Sequence, residues 1–257
     1  MERPLVLITN DDGIEAPGLA ALADALAAHD GVELWVCAPD APRSACGHGM
    51  TLTAPIAVAR LGERRFAVGG LPADCVYLAL FGLMPTRPDV VISGVNRGPN
   101  LGTDVVYSGT VAGAREAVIR RVHGVSASLV DGDDYSLAAK SAAGIALALA
   151  ASGEPPRLLN LNYPGPSFDG PDLAPLGERS YPEEVRLLVD PATGETRYRL
   201  GGPPVRDRCV EGTDGWLISR GIASATFLGV DQTDREAQSA ASAGLLARSI
   251  FLPARRP

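Results

Sequence analysis

No stretch of this chain is apolar for long enough to span a bilayer. Met1-Glu2-Arg3-Pro4 leads straight into an apolar strand, with no basic region and apolar core of a signal peptide. The expectation is a cytoplasmic protein with no membrane partner. Cysteine is sparse: Cys37, Cys46, Cys75 and Cys209 are scattered and form no Cys-x-x-Cys pair. That speaks against a zinc site and suits a reducing compartment. Cys46-Gly47-His48 offers one thiol and one imidazole, too few ligands for a metal centre. Positive charge is in deficit, 23 Lys and Arg against 30 Asp and Glu for a net charge of −7, so a nucleic-acid polymer is not an expected partner. A single phosphorylated metabolite stays open, because a metal can supply the positive charge. No Gly-x-Gly-x-x-Gly follows the first strand and no Gly-x-x-x-x-Gly-Lys-Ser/Thr loop occurs, which argues against dinucleotide and P-loop readings. Aromatic residues make up only 5% of the chain, and Tyr107 is the one best placed to touch a base.

What is present is a chain of 257 residues, 46% hydrophobic and 21% charged, long enough to bury a substantial core. Its first half alternates short apolar runs with helical patterns, the signature of a parallel α/β sheet. The strands fall at Leu5–Thr9, Glu33–Ala38, Phe66–Val68, Val90–Ser93, Gly124–Leu129 and Leu158–Leu161. Helices lie at Leu19–Ala28, Ala73–Leu80, Thr110–Ile119 and Ser136–Ala151, the last preceded by Asp133-Asp134 as a capping region. Residues 1–164 thus form a Rossmann-like catalytic region with helices on both faces. Composition then shifts: 165–182 is rich in Gly, Pro and Asp and reads as an excursion. Val185–Val189 and Thr196–Leu200 flank a turn and predict a β-hairpin, and Asp234 to Ile250 has helical period. A hairpin is not stable alone, so the region 165–257 is expected to serve an oligomer contact.

The most informative run is Asn10-Asp11-Asp12-Gly13, where the first apolar strand stops. Ligands in such folds bind beyond the carboxyl ends of the strands. Two adjacent carboxylates repel and are costly to desolvate, so a hard divalent cation is the simplest partner. Taken alone the run is also ordinary turn chemistry. Three further polar loops fall at the same predicted sheet edge. The loop after the second strand carries Ser44, a neutral hydroxyl, and His48. The loop Ser93-Gly94-Val95-Asn96-Arg97-Gly98-Pro99-Asn100-Leu101-Gly102 lets the chain pass close to a bound group, and Asn96 can add a carbonyl oxygen. Tyr107-Ser108-Gly109-Thr110 runs into a helix whose N–H groups can cradle phosphate, although Ser-Gly-Thr there is also a common N-cap. Asn10, Gly94, Asn100, Tyr107, Ser108, Gly109 and Thr110 form the expected substrate-binding set.

Together these motifs resemble the SurE family of stationary-phase survival proteins, which are metal-dependent 5'-nucleotidases. The resemblance rests on Asn10-Asp11-Asp12-Gly13 with Ala16-Pro17-Gly18, Ala38-Pro39 followed by Arg43-Ser44, Ser93-Gly94-Val95-Asn96 with Gly98-Pro99-Asn100, and Tyr107-Ser108-Gly109-Thr110. Pro72-Ala73-Asp74-Cys75, Leu159-Asn160-Leu161-Asn162-Tyr163-Pro164 and Thr213-Asp214 extend it along nearly the whole chain. A departure is local: the usual Ser-x-Thr-Pro-Leu is here Ser224-Ala225-Thr226-Phe227-Leu228. The resemblance implies one divalent ion, magnesium or manganese, on Asp11, Asp12, Ser44 and Asn96. It implies phosphate contacts at Ser108, Gly109 and Thr110, and an extension exchanged between the subunits of a homodimer or homotetramer. The substrates it implies are nucleoside 5'-monophosphates, with 3'-monophosphates and short polyphosphate as further substrates.

The expected reaction is phosphomonoester hydrolysis by a metal-activated water, with Asp11 and Asp12 catalytic and His48 as proton donor to the leaving oxygen. Asp11 could serve as ligand or also as general base. A phosphorylated Asp11 is a covalent rival, weakened because phosphatases of the haloacid-dehalogenase type set two aspartates one residue apart. A non-catalytic nucleotide-binding regulatory module is the rival of another class.

Overall fold

The computed structural model describes residues 3–181, 185–191, 193–200 and 206–242. Six parallel strands form the centre of the molecule: β1 (Leu5–Thr9), β2 (Glu33–Pro39), β4 (Arg65–Val68), β5 (Val90–Arg97), β6 (His123–Leu129) and β7 (Leu158–Tyr163). A short β3 (Val58–Gly62) pairs antiparallel with β4. At the other edge β13 (Ile222–Leu228) lies antiparallel to β7, and β8 (Asp169–Leu173) runs parallel to β13. The nine-stranded sheet is ordered β3-β4-β2-β1-β5-β6-β7-β13-β8. The chain thus builds outward from β1 in one direction through β2 and β4, then reverses and builds through β5, β6 and β7.

Helices cover both faces, which is why β1, β2 and the first half of β5 are apolar without alternation. Val6 and Ile8 point into one core with Leu19, Leu22 and Leu26 of α1 (Pro17–Ala27) and the small Ala139, Ala142 and Ala143 of α4 (Ser136–Ala150). Leu7, between them, points to the opposite core with Cys75 and Val76 of α2 (Pro72–Leu78) and Ala117 of α3 (Gly109–Ile119). The α4 helix packs on α1, and its buried residues are all alanine. At Gly18 a Cβ would sit 1.9 Å from the Val95 carbonyl oxygen, so this glycine lets α1 lie close on β5.

Beyond residue 164, β8 and β13 join the main sheet, whereas four strands do not. The expected hairpin is β10 (Val185–Val189) on β11 (Thr196–Leu200), paired in register from Val185 opposite Leu200 to Val189 opposite Thr196. β9 (Glu178–Ser180) pairs with β12 (Arg206–Arg208). α5 (Asp214–Ser219) precedes β13, and α6 (Arg235–Ser242) opens the expected tail helix, whose remainder to residue 250 lies outside the described residues. No described helix is long and apolar enough to cross a membrane.

The α3 helix is pressed onto the sheet through glycines. A Cβ at Gly124 of β6 would lie 2.0 Å from the Ala114 carbonyl oxygen. Gly124→Ala is therefore expected to lower stability by about 1–3 kcal/mol, the range for overpacking. Urea unfolding followed by circular dichroism reads this directly, and an unchanged midpoint would mean that α3 can slide without cost.

Candidate active site

Asp11 and Asp12 follow β1, Ser44 follows β2, and Asn96 lies at the end of β5. All four line one cleft of about 230 Å3 together with Tyr107 and Ser108. The cleft opens where the strand order reverses between β1 and β5, the place such sheets use for ligands.

Each side chain is placed by local chemistry. The acidic turn is closed by Asn10, fully buried, whose Nδ2 donates to the Gly13 carbonyl at 2.9 Å and whose Oδ1 accepts from the Gly13 N–H at 3.1 Å. Gly13 has φ +104°, which an L side chain resists. Asn10 therefore shapes the turn from inside. The Arg43 N–H donates to the Asp11 carbonyl at 2.7 Å, which fastens the next loop to the turn and brings Ser44 to the cleft. In β5 the pairing with β6 skips from Ser93 to Asn96 across Gly94, whose φ is +148° and whose following peptide is cis. A Cβ at Gly94 would lie 2.4 Å from the Ala127 carbonyl oxygen, so this glycine serves close strand approach. Beyond it, Asn96 Nδ2 donates to the Gly98 carbonyl at 2.8 Å, which leaves its carbonyl oxygen as the atom a cation can use.

Asn100 is buried at the centre of an amide network. Its N–H donates to Asn162 Oδ1 at 2.9 Å and its Nδ2 to Ser128 Oγ at 2.8 Å. Its carbonyl accepts from the Nδ2 atoms of Asn160 and Asn162, at 2.9 and 3.0 Å. The loop after β5 is thereby held from below by β6 and β7.

At the start of α3, Ser108 is the N-cap, its Oγ accepting from the Val111 N–H at 3.0 Å. The Thr110 hydroxyl donates to Asp11 Oδ1. At Gly109 a Cβ would stand 2.7 Å from Cys46 Sγ and 2.8 Å from Asp11 Cβ, so only glycine lets the helix end reach the carboxylate. Thr110, expected to touch phosphate, engages Asp11 through its hydroxyl.

His48 does not line the cleft. Its Nε2 lies 2.9 Å from Glu116 Oε2, about two turns along α3, and Glu116 Oε1 accepts from Arg120 Nε at 2.7 Å. Burial works to raise the Glu116 carboxyl, but hydrogen bonds from His48 and Arg120 outweigh it and leave the group below its ordinary value. This pair clamps the 43–49 loop to α3, helped by the Gly47 N–H on the Tyr107 carbonyl at 2.9 Å. Sequence reading missed Glu116, although an acidic residue amid Ala and Val of a helix is a signal of a buried charge that needs a partner.

Asp11 is 6% exposed, and burial pushes its carboxyl up to about 6 from 3.8; the Thr110 hydrogen bond opposes this and the Asp12 charge adds to it. Burial also raises Asp12, against the Arg97 N–H that donates to its Oδ2 at 3.2 Å and the charge of Arg97. Two neighbouring acids whose ionised forms are both disfavoured form a seat for a cation. Among the described residues no three His, Cys, Asp or Glu side chains converge. Any ion here would rest on two carboxylates completed by the neutral oxygens of Ser44 and Asn96, a donor set that fits magnesium, manganese or calcium and not zinc or copper.

A pH dependence follows. Ordinary Asp titrates near 3.8 and Asp11 near 6, so between these values a proton competes with the cation for a carboxylate that would otherwise be free. Titration of chelator-stripped protein with manganese by calorimetry is expected to give an apparent Kd that rises about tenfold from pH 7 to pH 5, about fivefold of it below pH 6, and levels off above pH 7. An affinity equal at pH 5 and pH 8 would place the ion away from Asp11.

Residues 6–183 match the family described as Survival protein SurE. The 5'-nucleotidase SurE of Sorangium cellulosum (strain So ce56) is 42% identical over 258 residues, covering 96% of this chain and 97% of the relative. That of Geotalea uraniireducens (strain Rf4) is 41% identical over 236 residues, covering 89% and 94%. The crystal structure of SurE protein from Aquifex aeolicus superposes with a TM-score of 0.78 at 33% identity, covering 92% of this chain and 98% of that one. An acidic pair on the first strand, at the reversal of a Rossmann-like sheet, and sequence likeness along nearly the whole chain lead to one assignment: the protein belongs to the SurE family.

Proposed function

We propose that this chain is a divalent-metal-dependent 5'-nucleotidase whose reaction takes place in the cleft between β1 and β5. The observation that carries the reading is the pair Asp11 and Asp12, partly stripped of water and set beside two neutral oxygen donors. The relatives named 5'-nucleotidase SurE, 41 and 42% identical over most of their length, support the class of reaction. The substrates are nucleoside 5'-monophosphates, with 3'-monophosphates and short polyphosphate as side substrates.

Asp11, Asp12, Ser44 and Asn96 would hold one magnesium or manganese ion. Bound there, the ion supplies charge to the phosphoryl oxygens and acidifies water. The protein does the rest. Thr110 fixes the Asp11 rotamer through its hydroxyl, so the carboxylate is preorganised to hold the ion. The first turn of α3 carries N–H groups with no partner inside the helix, and Ser108 and Gly109 aim this end at the site, suited to hold phosphoryl oxygens as charge develops. Tyr107, 64% exposed, stands at the cleft for the base. Asn10, Gly94 and Asn100 act by shaping the two loops. His48, paired with Glu116, positions the 43–49 loop that carries Ser44.

The hairpin β10–β11 exposes Val185, Leu187, Val189 and Tyr198. An apolar ribbon of this kind needs cover, and we assign it to a homodimer or homotetramer in which the extension is exchanged between subunits. All four cysteines are unpaired, which suits the cytoplasm.

Phosphate release from a panel of nucleoside monophosphates is expected to stop with EDTA and return with manganese or magnesium. Release indifferent to chelation would move the chemistry to a covalent Asp11. Asp12→Asn is expected to lower kcat/KM by more than the roughly 10–100-fold that changes around a metal's outer shell cost, with an unchanged melting temperature. Gly109→Ala should cost on the order of a hundredfold, since a displacement of about 1 Å in a catalytic framework does so. Normal turnover by either folded variant would remove the cleft from the mechanism.

A further inference from the structure

The cleft has two aromatic lining residues, Tyr107 and Tyr181, and they reach it from different parts of the chain. Tyr107 caps the 3-10 turn Gly102–Val106, its N–H donating to the Asp104 carbonyl at 2.9 Å. Tyr181 follows β9 in the extension, and its hydroxyl donates to Asp104 Oδ2. The same carboxylate oxygen accepts from Arg179 Nη1 at 2.7 Å, in an ion pair whose side chains are only 12 and 13% exposed. The two backbones are joined as well. Thr103 Oγ1 donates to the Arg179 carbonyl at 3.0 Å. Asp214 bridges the N–H groups of Gly102 and Gly177, at 2.8 and 2.6 Å. A Cβ at Gly102 would stand 2.8 Å from the Gly177 carbonyl oxygen. One short turn thus carries Tyr107 and anchors Tyr181.

Tyr181 is tied at its hydroxyl, yet the residue is 46% exposed. A tyrosine fixed at its polar tip, nearly half exposed and lining the cleft can present an aromatic face at low entropic cost. Base–aromatic stacking tolerates every base and strengthens with the area of the π system.

We propose that Tyr181 is a specificity-determining residue: with Tyr107 it forms the wall that receives the nucleobase, and Asp104 and Arg179 position it. The extension thereby contributes to substrate choice and not only to assembly. This rests on the reading that phosphate binds by Asp11 and Asp12 in the same cleft.

The test compares kcat/KM for AMP, GMP, CMP and UMP with kcat/KM for ribose 5-phosphate, which has the ester and no base. Tyr181→Ala and Tyr181→Leu are expected to lower the ratio of AMP to ribose 5-phosphate roughly tenfold, as loss of one stacking contact does. The loss should be larger for purines than for pyrimidines and should sit in KM rather than kcat. Tyr181→Phe, which restores the ring without the hydroxyl, should recover most of the ratio. An unchanged ratio in both ring-less variants, with melting temperatures intact, would overturn the proposal. So would Tyr181→Phe losing as much as Tyr181→Ala. If Asp12→Asn hydrolyses ribose 5-phosphate and AMP as well as the wild type does, the cleft reading itself fails and this inference falls with it, a result that the Tyr181 ratios cannot mimic.

Discussion

Two carboxylates in succession at the end of a central strand are the constraint on which the rest of this structure depends. Neither Asp11 nor Asp12 can leave water as an anion without compensation, and they repel each other. The fold answers with the positive end of a helix. The α3 N-terminus is brought against Asp11 by a series of missing side chains: Gly109 at the carboxylate, Gly113 against Thr9 and Ser93, and Gly124 beneath Ala114. At each position a methyl group would meet an atom closer than van der Waals contact allows. The compensation is partial, because Asp11 stays raised, and a protein that wished only to be stable would have replaced the pair. The deficit of positive charge that remains is what suits the cleft to the cation proposed for it.

Support for the site is polar where a core is normally apolar. Ser126, Ser128, Asn160 and Asn162 are fully buried, and three of these residues bond directly to Asn100. Ser126 joins through Asn160, its hydroxyl donating to Oδ1 at 2.8 Å. Such a network stabilises only while its members remain paired, and removal of one leaves its neighbours desolvated. The loop between β5 and α3 is thus rigid from below through amides and from above through Asp104 and Asp214. A water-exposed loop would need neither.

Much of this was legible in the sequence, for identifiable reasons. The strands β1, β6 and β7 and the helices α1, α3 and α4 are buried on sheet faces or against each other, so their apolar patterns are dictated. The two edge strands were not legible. Every side chain of β3 is exposed, so it carries no hydrophobic signal. β8 reads Asp-Gly-Pro-Asp-Leu, turn chemistry that is a strand only through its backbone pairing with β13. β5 runs to Arg97 rather than stopping at Ser93, because pairing with β6 resumes after the kink at Gly94. At the site, Asp11, Asp12, Ser44 and Asn96 could be picked out because each lies at a strand end, and the structure brings them to one cleft. The contact of His48 with Glu116 was not legible, because the two are 68 residues apart in sequence. Tyr181 and Asp104 come together over 77 residues, and no local pattern announces that.

The order β7-β13-β8 means that β13, among the last strands in sequence, is inserted between two made long before it. On the ribosome, residues through 173 emerge with β7 as an open edge, the N–H and C=O groups that later face β13 unpaired. The sheet cannot be closed until residues 222–228 have been synthesised. A nascent chain of this kind carries a sticky edge for the time it takes to make about fifty more residues, a few seconds at ordinary translation rates. Assembly of the finished sheet is therefore paced by the ribosome as well as by the chain.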